Sequence, residues 1–340
     1  MRVAFITGIT GQDGSYLVEL LLKKNYRIYG IQRRTSLFNT SRIDHFRKKI
    51  TMRYGDLTDS AGLSNYINEI VRDNEDMDRF EIYNLAAQSH VGVSFEIPEY
   101  TSDVDGMGVM RLLEIIRTLP EDIKNITRFY QAGTSELYGK VLEIPQSETT
   151  PFNPVSPYAA AKLYAYHMVK IYREGYGLFA TNGILFNHES PRRGENFVTM
   201  KIVNGVQDIV AGKKKMIELG NLNSMRDWGH AKDYVRGMYL MLQQKKADDY
   251  VLATGERYSV KEFVDKCFKY KKLPLTWFGK GLNEVGKDKN GIVRVKVNKK
   301  YFRPCEVDIL LGNPEKAIEQ LGWYREYDTL YKLIVDMFEE

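Results

Sequence analysis

Arg2-Val3-Ala4-Phe5-Ile6-Thr7, followed by Gly8-Ile9-Thr10-Gly11-Gln12-Asp13-Gly14, decides the fold of this 340-residue chain. The first six residues form a short, β-prone, mostly apolar run. Gly8, Gly11 and Gly14 follow at G-x-x-G-x-x-G spacing. Tyr16, Leu17, Leu20 and Leu21 then share one helical face and predict a helix over 16–24. Strand, glycine turn and helix together open a dinucleotide-binding unit. The glycines let the backbone turn tightly and approach a pyrophosphate, and the helix N-terminus offers free N–H groups to the anion. An ordinary glycine-rich turn has no need of that strand and helix.

The same alternation runs on through the first half. Strands are expected at 3–7, 27–31, 51–54, 81–85, 128–132 and 179–185. Helices are expected at 16–24, 61–73, 106–118 and 158–174. This predicts an α/β chain with a Rossmann-type doubly wound parallel sheet, covered on both faces. Ligands then bind at the carboxyl ends of the strands. Gly8, Arg33, Asp56, Ala86 and Thr134 each follow directly on an expected strand, so they should converge. After Asn187 the pattern loosens, with helices expected at 199–211 and 260–270 between loops and one more core strand at 249–254. A smaller, interleaved α/β substrate-binding domain is the reading. Residues 1–186 with about 229–256 form the dinucleotide domain, and about 187–228 with 257–340 form the other.

The second expected strand ends in Gln32-Arg33-Arg34. An acidic residue there would bind the ribose hydroxyls of NAD, and it would repel a 2′-phosphate. A guanidinium binds that phosphate through parallel hydrogen bonds, so the cofactor is read as NADP. Two solvated surface arginines are the plainer alternative.

Ser156-Pro157-Tyr158-Ala159-Ala160-Ala161-Lys162 carries the second signal. Ser156 suits an N-cap and Pro157 the first helical position. Tyr158 and Lys162 then stand at i and i+4 on one face. A free tyrosine has a pKa of about 10, too high for an efficient base. A neighbouring ammonium favours the phenolate. Tyr166 and Lys170 repeat the spacing further along, without the capped start, and are read as packing and surface.

Bulk properties bound the rest. The chain is 43% hydrophobic and 27% charged, ordinary for a soluble globular protein. No apolar run is long enough for a membrane span and no signal segment is evident, so a cytoplasmic protein without membrane partners is expected. Cys267 and Cys305 lack metal-ligand spacing, and no metal is expected. The net charge of +5 and the runs Lys213-Lys214-Lys215, Lys271-Lys272 and Lys299-Lys300 read as solvated turns rather than a nucleic-acid surface.

Thr134-Ser135-Glu136-Leu137-Tyr138-Gly139 follows the fifth expected strand. With Tyr158 and Lys162 it resembles the extended short-chain dehydrogenases/reductases that act on nucleotide sugars. Glu136 resembles the residue that marks the dehydratases among them, since simple epimerases need no base at carbon 5. Residues 8–17, Arg33-Arg34-Thr35-Ser36, 85–91, 187–194, 226–229 and 303–308 are similar to the GDP-mannose 4,6-dehydratase family, and the likeness covers essentially the whole chain. One departure is Gly133, where a serine is common and where glycine would loosen the turn beside Thr134.

The resemblance implies GDP-mannose as substrate and GDP-4-keto-6-deoxy-D-mannose as product, with Thr134, Glu136, Tyr158 and Lys162 catalytic. It implies oxidation at carbon 4, loss of water across carbons 5 and 6, and hydride return to carbon 6. The acid for the leaving hydroxyl is Glu136 or Tyr158, because Ser135 stands where related dehydratases carry an aspartate. Cofactor contacts are implied for Gly8, Thr10, Gly11, Gln12, Asp13, Gly14, Arg33, Arg34, Asp56, Leu57, Leu85, Ala86, Ala87, Gln88, Ser89, Tyr100, Lys162, His188 and Arg193. Substrate contacts are implied for Ser89, Asn187, Lys201, Arg226, Arg303 and Glu306.

The stretch 35–42 carries hydroxyls, an amide and a guanidinium, with Leu37 and Phe38 apolar. In the family it resembles, this loop reaches a neighbour's cofactor, which implies Ser36 and Arg42 as cross-subunit contacts in a dimer or tetramer. A side activity, reduction of the 4-keto product by NADPH, is chemically within reach of Tyr158. A 4-epimerase or reductase of the same fold, using Thr134, Tyr158 and Lys162 alone, is the alternative.

Overall fold

The run Arg2–Thr7 is a strand, β1, at the centre of a seven-stranded sheet. The computed structural model describes residues 1–36, 39–302, 305 and 307–339. Five further long strands follow: β2 (Arg27–Gln32), β3 (Ile50–Tyr54), β4 (Arg79–Asn84), β5 (Thr127–Ala132) and β6 (Phe179–Leu185). Shorter ones come next: β7 (Asn187–Glu189), β8 (Ile217–Leu219), β9 (Met225–Arg226), β10 (Trp228–His230), β11 (Tyr250–Leu252) and β12 (Tyr258–Ser259). The last three are β13 (Thr276–Phe278), β14 (Val285–Lys287) and β15 (Val293–Val297). The large sheet has the order β11-β6-β5-β4-β1-β2-β3, and each neighbouring pair is parallel. The order reverses between β1 and β4, which opens a crevice at their carboxyl ends.

β1 shows why both faces are covered. Val3, Ala4, Phe5 and Ile6 are all fully buried. Successive side chains point to opposite faces. Val3 and Phe5 join Leu63, Ile67, Leu112, Ile116 and Val169 in one core. Ala4 and Ile6 join Leu17, Leu21, Val235 and Met238 in another. A parallel strand buried on both sides reads as a continuous apolar run, as this one does.

Helix boundaries follow local chemistry. The Ser156 hydroxyl accepts the Ala159 N–H at 3.1 Å, Pro157 takes the first position, and the helix runs from Pro157 to Tyr176. It ends at Gly177, whose φ of +69° suits glycine. The helix expected at 106–118 is different. A short helix Pro98–Ser102 leads through a π turn, Asp103–Met107, into the helix Gly108–Arg117. The wider turn holds one extra residue. Periodicity over the apolar stripe that follows could not show it, because the stripe begins after the turn.

The second half holds more structure than its loose pattern suggested. β13, β14, β15 and β8 form a four-stranded sheet. β8 and β15 pair in parallel although far apart in sequence. Helices Val198–Val210, Val260–Tyr270 and Leu330–Glu339 pack with it around Ile202, Phe263, Val264 and Ile334. The helix Ala231–Gln243 covers the large sheet. Helix Glu315–Leu321 and Trp323 return to the large sheet's core beside Tyr234. The strand expected at 249–254 is shorter, Tyr250–Leu252, because Asp249 and Thr254 turn their backbones to side-chain partners. Among the described residues no helix is long and apolar enough to cross a membrane.

Candidate active site

A cleft of about 1200 Å³ lies along the carboxyl ends of the large sheet and extends beneath the smaller one. Gly8, Arg33, Asp56, Ala86 and Thr134 all line it. Two glycines shape its floor. Gly8 has φ +68°, and a Cβ there would lie 2.7 Å from the Ala86 nitrogen. A Cβ on Gly14 would lie 2.4 Å from the Gly8 carbonyl oxygen. The first turn of helix Gln12–Lys23 therefore presses against β1's end and leaves its N–H groups facing the cleft. That bare floor fits a pyrophosphate.

Most of the expected cofactor residues surround this floor. Thr10, Gly11, Gln12, Asp13, Leu57, Leu85, Ala87, Ser89, Tyr100, Lys162, His188 and Arg193 line the cleft. Arg34 and Gln88 do not line it, and neither do the expected cross-subunit contacts Ser36 and Arg42. Arg33 hydrogen-bonds the Tyr100 hydroxyl at the cleft edge, whereas Arg34 turns to the Thr35 carbonyl and the Tyr54 ring. Gln88 braces its own loop, donating from its amide to Thr101 and from its backbone to Asp105. Arg42 donates to the Arg192 carbonyl of its own chain at 2.8 Å, and Ser36 is exposed. Leu37 and Phe38 lie outside the described residues.

Asp13 and His188 form a partly buried pair, with Nε2 2.8 Å from the Asp13 carboxylate. Nδ1 lies 2.8 Å from the Phe186 carbonyl. Both ring nitrogens thus face acceptors, which suits an imidazolium. Burial pushes the Asp13 carboxyl up, yet His188 outweighs it and holds the group below its ordinary value. Burial pulls His188 down, and Asp13 outweighs that too, holding it above.

The acid–base cluster stands on two elements. Thr134 caps the short helical turn Ser135–Tyr138, and its hydroxyl accepts the Glu136 N–H at 3.2 Å. Its proton is then free for the Tyr158 oxygen, with which it hydrogen-bonds. Tyr158, Thr134, Glu136 and Lys162 are all buried and all line the cleft. The Lys162 ammonium donates to the Ala132 carbonyl at 3.1 Å and lies 5.9 Å from the centre of the Tyr158 ring. The phenol is held well above its ordinary range, by burial first, then by Asp105 and Glu136, with Thr134 and Arg193 opposing. Lys162 alone does not offset that burial. A positive cofactor ring would have to complete the activation.

Gly133 is close-packed rather than loose. Its N–H donates to the Gly183 carbonyl at 2.8 Å, and a Cβ would lie 2.7 Å from that same oxygen. Tyr166 is buried and Lys170 lies over its ring, away from the cleft.

On the far side Asn187, Lys201 and Arg226 line the cleft, and the Asn187 side-chain oxygen is buried without a hydrogen-bond partner among the described residues. Arg303 and Glu306 lie outside the described residues. Lys214 and Lys300, read as solvated surface, are exposed, yet Lys300 borders the cleft, and the charges of both bear on Lys201. The small sheet brings their turns near it, which spacing could not reveal. Asp105, on the π turn beside Lys162, was also missed. Its available signal was Asp103-x-Asp105-Gly106, two carboxylates and a glycine opening an apolar stripe. Among the described residues no group of three or more His, Cys, Asp or Glu could hold a metal.

A parallel sheet with a glycine turn at its crevice, and a Tyr–Lys pair on a capped helix facing it, defines an extended short-chain dehydrogenase/reductase. Solved structures share the architecture. A dTDP-glucose 4,6-dehydratase from Bacillus anthracis in complex with NAD has a TM-score of 0.79 at 18% identity, covering 99% of this chain and 96% of that one. A UDP-glucose 4-epimerase from Thermus thermophilus, also with NAD, has 0.77 at 22%, covering 99% of both chains. The chain belongs to the GDP-mannose 4,6-dehydratase family, whose model matches residues 5–337. GDP-mannose 4,6-dehydratases from Drosophila melanogaster and Homo sapiens are 54% and 56% identical, over 99% and 95% of this chain and 85% and 87% of theirs. The Vibrio cholerae enzyme is 52% identical over 100% of this chain and 93% of its own.

Proposed function

We propose that Thr134, Glu136, Tyr158 and Lys162 carry out in this chain the reaction for which its family is named. The enzyme is a hydro-lyase that dehydrates GDP-mannose. The observation that carries the residue assignment is Glu136. It sits on the turn capped by Thr134, buried, and close enough to Tyr158 to bear on its charge.

A nicotinamide dinucleotide is the cofactor, and the bare glycine floor and the Asp13–His188 pair fit it. When bound, it supplies a temporary acceptor for a hydride. Tyr158 takes the proton of the sugar's 4-hydroxyl, with Thr134 orienting the oxygen. A ketone at carbon 4 makes the carbon 5 proton acidic. Glu136 removes that proton, and Glu136 or Tyr158 protonates the departing 6-hydroxyl. Arg33 at the cleft edge, with no carboxylate in its place, supports NADP over NAD.

Lys201 and Arg226, lining the far side, support contacts to the GDP diphosphate. Arg303 and Glu306 are further proposed contacts. Residues 1–186 with about 229–256 are proposed as the dinucleotide domain and about 187–228 with 257–340 as the substrate domain, except that Ala317, Leu321 and Trp323 pack in the large sheet's core. Self-association through residues 35–42, bringing Ser36 and Arg42 to a neighbour's cofactor, is proposed, as is a cytoplasmic location. Reduction of the 4-keto product by added NADPH is a second proposed activity.

Incubation with GDP-mannose and mass analysis of the sugar nucleotide tests the main reading. Loss of one water is expected, at constant total reduced cofactor. A product of unchanged mass would point to a 4-epimerase, and a gain of two hydrogens after loss of water would reveal the second activity.

A further inference from the structure

β7 spans only Asn187–Glu189, yet its side chains reach both sides of the cleft. Successive side chains of a strand point opposite ways. His188 turns to the cofactor side and meets Asp13. Glu189 turns to the other side, lines the cleft and is 2% exposed. Its Oε2 accepts the Thr199 hydroxyl at 2.5 Å and forms an ion pair with Arg193, 3.0 Å from Nε. The proton transfers assigned to Glu136 and Tyr158 make no use of this carboxylate.

Its two partners belong to different ends of the site. Arg193 lines the cleft near the cofactor floor, over the Phe197 ring at 3.6 Å from its centre. Thr199 is buried in the first turn of helix Val198–Val210, which carries Lys201 on the substrate side. Phe197, at the N-cap, gives that helix no side-chain hydrogen bond, so its start is tied through Thr199 instead. The segment around Glu189 is itself fastened to the glycine-turn helix. Ser190 donates to the Gln12 side-chain oxygen at 2.8 Å, and Gln12 donates back to the His188 carbonyl at 3.1 Å. Arg192 donates to the Ser15 hydroxyl at 3.1 Å.

We propose that Glu189 is a positioning residue that couples the two binding sites. One carboxylate holds both Arg193 and the start of the helix that bears Lys201. Glu189 engages Nε, and an anion can take the terminal nitrogens of the same guanidinium. A cofactor that fixes Arg193 therefore also fixes Glu189, Thr199 and the first turn beyond it. GDP arriving at Lys201 then has less left to order, which makes the two ligands bind cooperatively without any direct contact. This rests on the proposed contacts of Arg193 with the cofactor and of Lys201 with GDP.

The test is a binding titration of the full chain with GDP, which cannot react, in the absence and presence of saturating NADP, and the reverse. In the parent protein each ligand should tighten the other by the same factor, about fivefold or more. Glu189→Gln keeps an acceptor for Thr199 but loses the attraction for Arg193, and the factor should fall to near one. Thr199→Val breaks the other half of the link. It should lower the factor likewise while NADP alone binds as in the parent, and it serves if Glu189→Gln does not fold. A merely structural role would weaken each ligand alone and leave the factor in place. A parent factor of one, or a factor that both variants retain, overturns the proposal. Arg193→Ala and Lys201→Met read its premise separately. Unchanged NADP affinity in the first, or unchanged GDP affinity in the second, overturns the proposal through that contact. Weakened affinities in both, with a factor that Glu189→Gln leaves intact, overturn the role of Glu189 alone.

Discussion

The two walls of the cleft are built on different principles. The cofactor wall hangs on β1, β2, β4 and β5, long strands paired in unbroken parallel register. Gly8, Arg33, Ala86 and Thr134 there each follow a strand within a few positions. The substrate wall hangs on strands of two to five residues, and its lysines arrive from distant turns. A parallel sheet collects strand ends wherever the loops go, so sequence order alone places the first wall. The second wall exists only once β8 has found β15 across some eighty residues of chain. The two walls also hold charge differently. His188 is held above its ordinary value by the Asp13 carboxylate, whereas Lys201 is lowered by burial and by other lysines.

The sharpest break would come at the junction of the walls. Glu136→Gln keeps the shape of the turn but cannot accept the carbon 5 proton. Turnover should fall by roughly 100-fold or more, the range for a lost general base. Oxidation at carbon 4 should survive, so reduced cofactor should appear once per site and persist, as read by its absorbance. Near-normal turnover would remove Glu136 from the reaction. Next in size is Arg33→Ala on the cofactor wall. Losing a hydrogen bond to a charged group costs about 1.5–3 kcal/mol, so NADP should weaken roughly 10- to 150-fold while NAD is spared. Equal weakening of both in a binding titration would place the phosphate elsewhere.

The same contrast explains what could be read in advance. Ser156 and Pro157 announce a helix start through local chemistry, and the Ser156–Ala159 bond is the result. Gly8, Arg33, Asp56, Ala86 and Thr134 needed only the rule of strand ends, and all line the cleft. Asp105 escaped because a π turn changes which side chains face inward without changing composition. Gly133 looked like a loosening and is a close contact, since the Gly183 carbonyl that fills its space comes from another strand. Lys214 and Lys300 are exposed, as charge runs in turns usually are. That their charges also bear on Lys201 follows only from the small sheet's pairing, which joins segments too short to show a period.

The smallest expected effect tests that convergence. Burial first, then Lys214 and, least, Lys300 lower Lys201 to about 8, with Glu218 opposing them more than Lys300 adds. Its Nζ lies 3.3 Å from the centre of the Tyr301 ring, so the wall is already closed around it. A diphosphate would favour the ammonium and raise that value again. The sign follows: below about pH 8 the lysine is charged without help and KM for GDP-mannose should be flat, and above it KM should climb as substrate must bring the proton back. Because the site is only half buried, the climb should stay below the limit of about tenfold per pH unit. Lys300→Met removes one repelling charge and should move the onset of the climb to higher pH. A KM that is flat through this range, or an onset that Lys300→Met leaves unmoved, would mean that the lysines of the second wall meet in space without sharing a ligand.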